Sequence, residues 1–191
     1  DVDHITPAAF QAPGDKIVLL GDNTGEIGGS EYLYVTADLV AGPPPRVNLL
    51  AERSLQRAVL GMVQGGLVRS AHDCSDGGLA CTLAESALGA GEDGFGVSAS
   101  LDDDLPPVAV LFGEAQGRVV ISCAPEDETR VLEEAERHGV PARTIGTVGE
   151  ADGTFRIETP TATVTAELAE LRNTYFGTLP RIMDTPPTSG S

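Results

Sequence analysis

The sequence predicts an α/β (α+β) fold, built as a two-layer sandwich with a mixed sheet. Three observations predict it. From Arg46 onward, segments with helical spacing of apolar residues alternate with short apolar runs of strand length. Runs such as Lys16-Ile17-Val18-Leu19-Leu20 and Arg118-Val119-Val120-Ile121-Ser122-Cys123 are bounded by polar residues, Gly or Pro. A hairpin-like return at Gly149-Glu150-Ala151-Asp152-Gly153 calls for antiparallel pairing beside any parallel crossover, which makes the sheet mixed.

The elements follow in order. Residues 16–20 form a strand, residues 21–30 a glycine-rich loop, and the segment after it a closing helix or strand. Gly42-Pro43-Pro44-Pro45 ends that unit as a boundary or stiff linker, because proline has no N–H and restricts the residue before it. Next come a helix over 54–63, a strand over 68–71, a helix over 79–88, a strand over 95–101 and a short helix over 108–112. A strand over 118–123, a helix over 126–138, strands over 142–148 and 154–157 and a final helix over 166–179 complete the order. The 126–138 helix opens on Glu126, Asp127 and Glu128 and carries Arg130, Arg137 and His138 further along, before Gly139. That order complements the helix dipole and needs no catalytic role. The segment from Gly91 to Gly94 is a turn, residues 185–191 are a disordered tail, and no internal repeat is present.

Charge excludes some partners. The 191 residues carry 12 basic and 29 acidic side chains, a net charge of −17, and Lys16 is the only lysine. Nucleic acid and anionic membranes both demand clustered positive charge, so neither is expected as a partner. Acidic excess with scarce lysine fits a salt-adapted or GC-rich source. The opening residues have no basic and apolar leader pattern, and no apolar run approaches the ~20 residues of a membrane span, so a soluble cytoplasmic chain is expected. Cys74, Cys81 and Cys123 are widely spaced without a CxxC pair and read as reduced packing thiols.

The chemistry concentrates in His72-Asp73-Cys74-Ser75-Asp76-Gly77-Gly78, between a strand and a helix. Such a turn aims unpaired helix amides at whatever lies above it, and its glycines let a ligand approach the backbone. Two aspartates there would repel bare phosphate, but suit a Mg²⁺ shared between carboxylate and phosphate oxygens. Asp, Ser and Gly are equally ordinary cap and turn formers, so residue physics alone leaves two readings, a capping turn or a phosphate and metal site. A thiolate at Cys74 paired with His72 lacks an orienting third group. The 21–30 loop lacks the GK(S/T) of a Walker site.

Three motifs carry a family resemblance. Residues 70–89, SAHDCSDGGLACTLAESALG, resemble the SxHDxSDGGLxxxLAE motif of the last domain of phosphoribosylformylglycinamidine synthases, the ATP-dependent amidine-forming ligases of purine biosynthesis. Phe112-Gly113-Glu114-Ala115-Gln116-Gly117-Arg118 is similar to that family's FGExQGR segment, and Gly28-Gly29-Ser30-Glu31-Tyr32 to its GGSE(Y/L) loop. They occur in the family's order and cover most of the chain.

The resemblance implies an AIR synthetase C-terminal-domain-like fold. It makes residues 1–45 the end of a preceding nucleotide-binding-type domain with a linker, and residues 46–184 the closing domain. It implies Mg²⁺ and ATP or ADP as cofactors, with Asp73 a metal ligand and Asp76 standing behind it. Ser75, Gly77 and Gly78 then contact nucleotide, while Glu114, Gln116 and Arg118 are candidate substrate or anion contacts. The implied partners are the rest of the synthase chain and a glutaminase subunit or domain. No catalytic residue is expected in this piece, because the family's catalytic histidine and amide-binding loops lie in earlier domains, so it should be inactive alone. The alternatives are a non-catalytic structural or interaction domain of the same enzyme, or another member of the superfamily. Pro180-Arg181-Ile182-Met183 lacks the reactive cysteine that ends the superfamily's hydrogenase maturation proteins.

Overall fold

β1 (Lys16–Leu20) lies near the middle of a seven-stranded mixed sheet, with β4 (Val119–Cys123) antiparallel on one side and β5 (Ala142–Ala151) antiparallel on the other. The computed structural model describes residues 5–89, 94–151 and 153–184. β2 (Ser70–Asp73) flanks β4 at one edge, while β3 (Phe95–Ser100), β6 (Thr154–Glu158) and β7 (Thr163–Glu167) continue beyond β5. All pairings are antiparallel except β3 with β6. The expected mixed-sheet α/β class is therefore what the chain adopts.

Four of the five β1 side chains are buried, which suits an apolar strand covered on both faces. Ile17 and Leu19 join a core under α3 (Gly78–Leu88), α4 (Pro107–Phe112) and the start of α6 (Leu168–Asp184). Val18 and Leu20 face the opposite way, into a second core under α2 (Leu49–Gln64) and α5 (Glu128–Arg137). Over β4 and β1 the sheet thus carries helices on both sides, a layer more than the sequence suggested.

β1 lies before the division expected at residue 45, yet it is bonded along its length to β4 and β5 and so joins the sheet formed by the residues after the triple proline. The segment after the glycine-rich loop is a helix, α1 (Glu31–Ala37), capped by Ser30, whose Oγ accepts the Leu33 N–H. α2 starts five residues earlier than expected because Asn48 Oδ1 accepts the N–H groups of Leu50 and Ala51. Residues 125–127 form a 3₁₀ turn ahead of α5, and β7 precedes α6 where only helix was expected.

The hairpin expected at residues 149–153 does not form between β5 and β6. β3 lies between them, and Gly96, Gly149 and Gly153 allow this close approach: a Cβ at Gly149 would stand 3.2 Å from Gly96 Cα. The tail at 185–191 and most of the 91–94 turn lie outside the described residues. No helix among those described is long and apolar enough to cross a membrane.

The charge carries a testable consequence. Raising KCl from 0.1 to 1 M shrinks the Debye length from ~10 to ~3 Å and screens the self-repulsion of a surface with net charge −17. The melting temperature should rise by a few degrees across that range in a differential scanning experiment. A flat profile would assign the composition to codon bias instead of salt adaptation.

Candidate functional site

Asp73 is the last residue of β2 and is exposed, so its carboxylate projects beyond the strand end. Ser75 is also exposed and its Oγ donates to Asp73 Oδ2 at 2.8 Å. Between them Cys74 turns inward, anchored by its N–H on the Arg118 carbonyl at 3.0 Å. Burial pushes the Cys74 thiol up, so it stays protonated at neutral pH. His72 is engaged by α3: Nδ1 lies 3.1 Å from Ser86 Oγ and Nε2 3.5 Å from Glu85 Oε2. Neither member of the imagined Cys–His pair is arranged as a nucleophile.

The helix start decides part of the capping question. Gly77, in left-handed conformation at φ 76°, occupies the N-cap position of α3, and no side chain caps it. Ser75 therefore contributes its carbonyl, which accepts the Gly78 N–H at 3.0 Å, and leaves its hydroxyl with Asp73. Asp76 is exposed beside them. Gly78 has φ 67° and packs against the 112–113 backbone so closely that a Cβ would stand 2.6 Å from Gly113 O. Glycine is required there on both counts.

Arg118, expected as an anion contact, lines the cleft and is also bonded within the protein. It is 2% exposed, and three of its N–H directions are taken inside the protein: Nε by Ala115 O at 3.0 Å, Nη2 by Gly113 O at 2.6 Å, Nη1 by Asn23 Oδ1 at 2.9 Å. Desolvation lowers its pKa, with Cys74, Asp103 and Glu114 pulling the other way. These bonds hold the 113–117 loop in shape. Glu114 is partly buried, and its Oε1 accepts the N–H groups of Gly77 at 2.8 Å and Glu31 at 2.9 Å. Gln116 is exposed, with its Nε2 3.4 Å from the Glu114 carbonyl.

These residues share a cleft of about 730 Å³. Asp73, Ser75, Asp76, Glu114, Gln116 and Arg118 contribute to a polar side, and Leu55, Val59, Leu60 and Val63 of α2 form an apolar one. Gly77 and Gly78 lie at the adjoining helix start and do not line the cleft. The sequence reading found the polar side and missed the apolar one. The only signal for α2 was its helical period, which marks a buried stripe whether or not a ligand sits against part of it. Asn23, which orients Arg118, was missed as well, since nothing local distinguishes it from a loop residue.

Among the described residues, no three His, Cys, Asp or Glu side chains come together as a metal cage. Asp73, exposed in the cleft, is chemically suited to the other mode, in which one or two carboxylates hold Mg²⁺ together with phosphate oxygens and water.

The subunit PurL of phosphoribosylformylglycinamidine synthase from Moorella thermoacetica is 43% identical over 149 residues, 78% of this chain and 20% of that protein. Its counterpart from Thermobifida fusca is 40% identical over 183 residues, 95% of this chain and 23% of that protein. This chain thus spans about a fifth of the length of the relatives it matches. T. maritima PurL, solved in complex with ATP, shares the fold with a TM-score of 0.67 at 24% identity, over 88% of this chain and 27% of that one. The family described as AIR synthase related protein, C-terminal domain, matches residues 12–158, a span that takes in β1, the strand-to-helix turn and the loop shaped by Arg118; the chain belongs to that family.

Proposed function

We propose that this chain is the C-terminal part of a phosphoribosylformylglycinamidine synthase, and that it contributes a Mg²⁺-nucleotide cleft to the ATP-dependent conversion of formylglycinamide ribonucleotide to its amidine. The observation that carries this reading is the turn itself. Asp73 and Ser75 stand exposed and hydrogen-bonded to each other, within one cleft, at a helix start whose N-cap residue is a glycine. The relatives' shared name and the ATP in the T. maritima complex support the nucleotide class.

In this reading Asp73 holds the cation through its charge, and Asp76 orients water around it. Ser75 donates to a phosphate oxygen once its hydroxyl leaves Asp73. The Gly77-Gly78 backbone lets phosphate approach the start of α3. When bound, Mg²⁺ would neutralise phosphate charge as the amide oxygen is activated by phosphoryl transfer. Gln116 lines the cleft as a hydrogen-bonding group. The catalytic groups belong to other parts of the synthase, so this chain alone should not turn over substrate, and a glutaminase partner would supply ammonia in the cytoplasm.

The test is a calorimetric titration of Mg²⁺-ADP into the intact synthase. Asp73→Asn keeps size and one oxygen but loses charge, and should weaken binding at this cleft about tenfold or more. Ser75→Ala should cost less, and Cys74→Ala almost nothing. Undiminished binding in Asp73→Asn alongside a loss in Cys74→Ala would overturn the metal reading. A purely structural role in the same enzyme is favoured by one further observation, the exposed Tyr175, Phe176, Leu179, Ile182 and Met183 of α6, which suit coverage by another part of a larger protein. Under that reading none of the three substitutions alters nucleotide binding.

A further inference from the structure

We propose that Glu114 is a positioning residue whose carboxylate couples α1 to the Asp73–Ser75 turn, so that the docking of α1 sets the geometry of the turn. The proposal rests on the nucleotide reading above only for its consequence in binding.

One oxygen does the joining. Glu114 Oε1 accepts the Gly77 N–H at 2.8 Å and the Glu31 N–H at 2.9 Å, which begin two helices 46 positions apart in the chain. Carboxylates are favoured at helix starts, and charge-assisted bonds to backbone N–H are about twice as strong as neutral ones. The side chain is itself held in place. Its backbone N–H donates to Glu26 O at 2.8 Å, and Arg118 fixes the carbonyls of Gly113 and Ala115 on either side of it. The Gly77 peptide follows directly on Ser75 and Asp76, so anchoring its N–H orients both.

α1 has little else to hold it. None of its residues is buried, and among the contacts around it are the stacking of Tyr32 on Phe112, with ring centroids 5.0 Å apart, the Gly29 N–H bond to Ala41 O, and the buried N-cap Ser30, whose Oγ donates to Ile27 O at 2.7 Å. An element without a buried side chain opens at low free energy, and loosening it leaves Glu114 with one helix start instead of two. Three sequence motifs, at residues 28–32, 72–78 and 112–118, therefore meet on a single carboxylate.

The experiment compares Glu114→Ala, Glu114→Gln and Tyr32→Ala with the parent chain by hydrogen exchange over residues 28–38 and 74–82, and by Mg²⁺-ADP titration of the intact synthase. Glu114→Ala should speed exchange about tenfold in both segments and weaken Mg²⁺-ADP about tenfold, whereas Glu114→Gln, which keeps the accepting oxygen, should stay within about threefold of the parent in each. Tyr32→Ala removes the ring stack of α1 on Phe112 but leaves the Glu114 carboxylate in place, and should still speed exchange over 74–82 by about threefold, which keeps the proposal testable if Glu114→Ala does not fold. Acceleration confined to one segment, or Glu114→Gln as damaging as Glu114→Ala, would overturn it. If the parent synthase fails to bind Mg²⁺-ADP here, the nucleotide reading falls while the exchange data still decide the coupling.

Discussion

Arg118→Ala should destabilise the chain by about 3–5 kcal/mol, because it strands two buried carbonyls and the Asn23 amide oxygen and opens a side-chain-sized cavity. For a chain of this length that corresponds to a fall in melting temperature of roughly 10–15 °C. Arg118→Lys should recover little of the loss, since one ammonium cannot reach three acceptors spread around a planar guanidinium. If Arg118 instead clamped an anion, the alanine variant would melt close to the parent and lose affinity alone. A thermal melt within about 2 °C of the parent would restore that expectation.

Gly78→Ala should be the most damaging of the glycine replacements at the turn. An L-residue at φ 67° is strained, and the new Cβ would lie 2.6 Å from Gly113 O and 2.9 Å from Phe112 C, both backbone atoms that cannot rotate away. Strain and overpacking together should cost about 2–4 kcal/mol, or a melting temperature lowered by roughly 6–12 °C. Gly66→Ala is the control. It shares the positive φ, at 63°, but has no atom within 4 Å of the new Cβ, so it reports strain alone, at about 1 kcal/mol. Equal losses at Gly66 and Gly78 would mean that the contact between the 72–78 turn and the 112–118 loop is looser than described.

Much of the fold was legible because its signals are local. Apolar runs located β1, β3 and β4, and the helical period located α2, α3 and α5. What the sequence hid was long-range. Nothing in residues 16–20 says that their partners lie beyond residue 118, and a triple proline looks like a domain boundary whether or not the strand before it belongs to the sheet after it. The β5–β6 return was misread for the same reason: the glycines that suggest a hairpin are there to admit β3. At the site, Asp73, Ser75 and Asp76 could be singled out as either a capping turn or a phosphate and metal site, and the family motif favoured the second. Arg118 could not be assigned, since a guanidinium that binds carbonyls and one that binds an anion read alike until burial is known. Glu114 drew notice only as part of a motif, and its double acceptance appears only once α1 and α3 are brought together.

The place of β1 has a cost in time. During synthesis, Lys16–Leu20 emerges about a hundred residues ahead of β4 and still further ahead of β5. At ordinary elongation rates of ~5–20 residues per second the strand waits roughly 5–20 s with four apolar side chains and both backbone edges open. Such a segment is what pairs with neighbouring chains on a crowded ribosome. Asp15, Lys16 and Asp22 bracket it with charge, and the sole lysine of the chain stands at its first position, where gatekeepers against aggregation are placed. The acidic surface adds to this protection by making nascent copies repel one another until the rest of the sheet arrives to close over the strand.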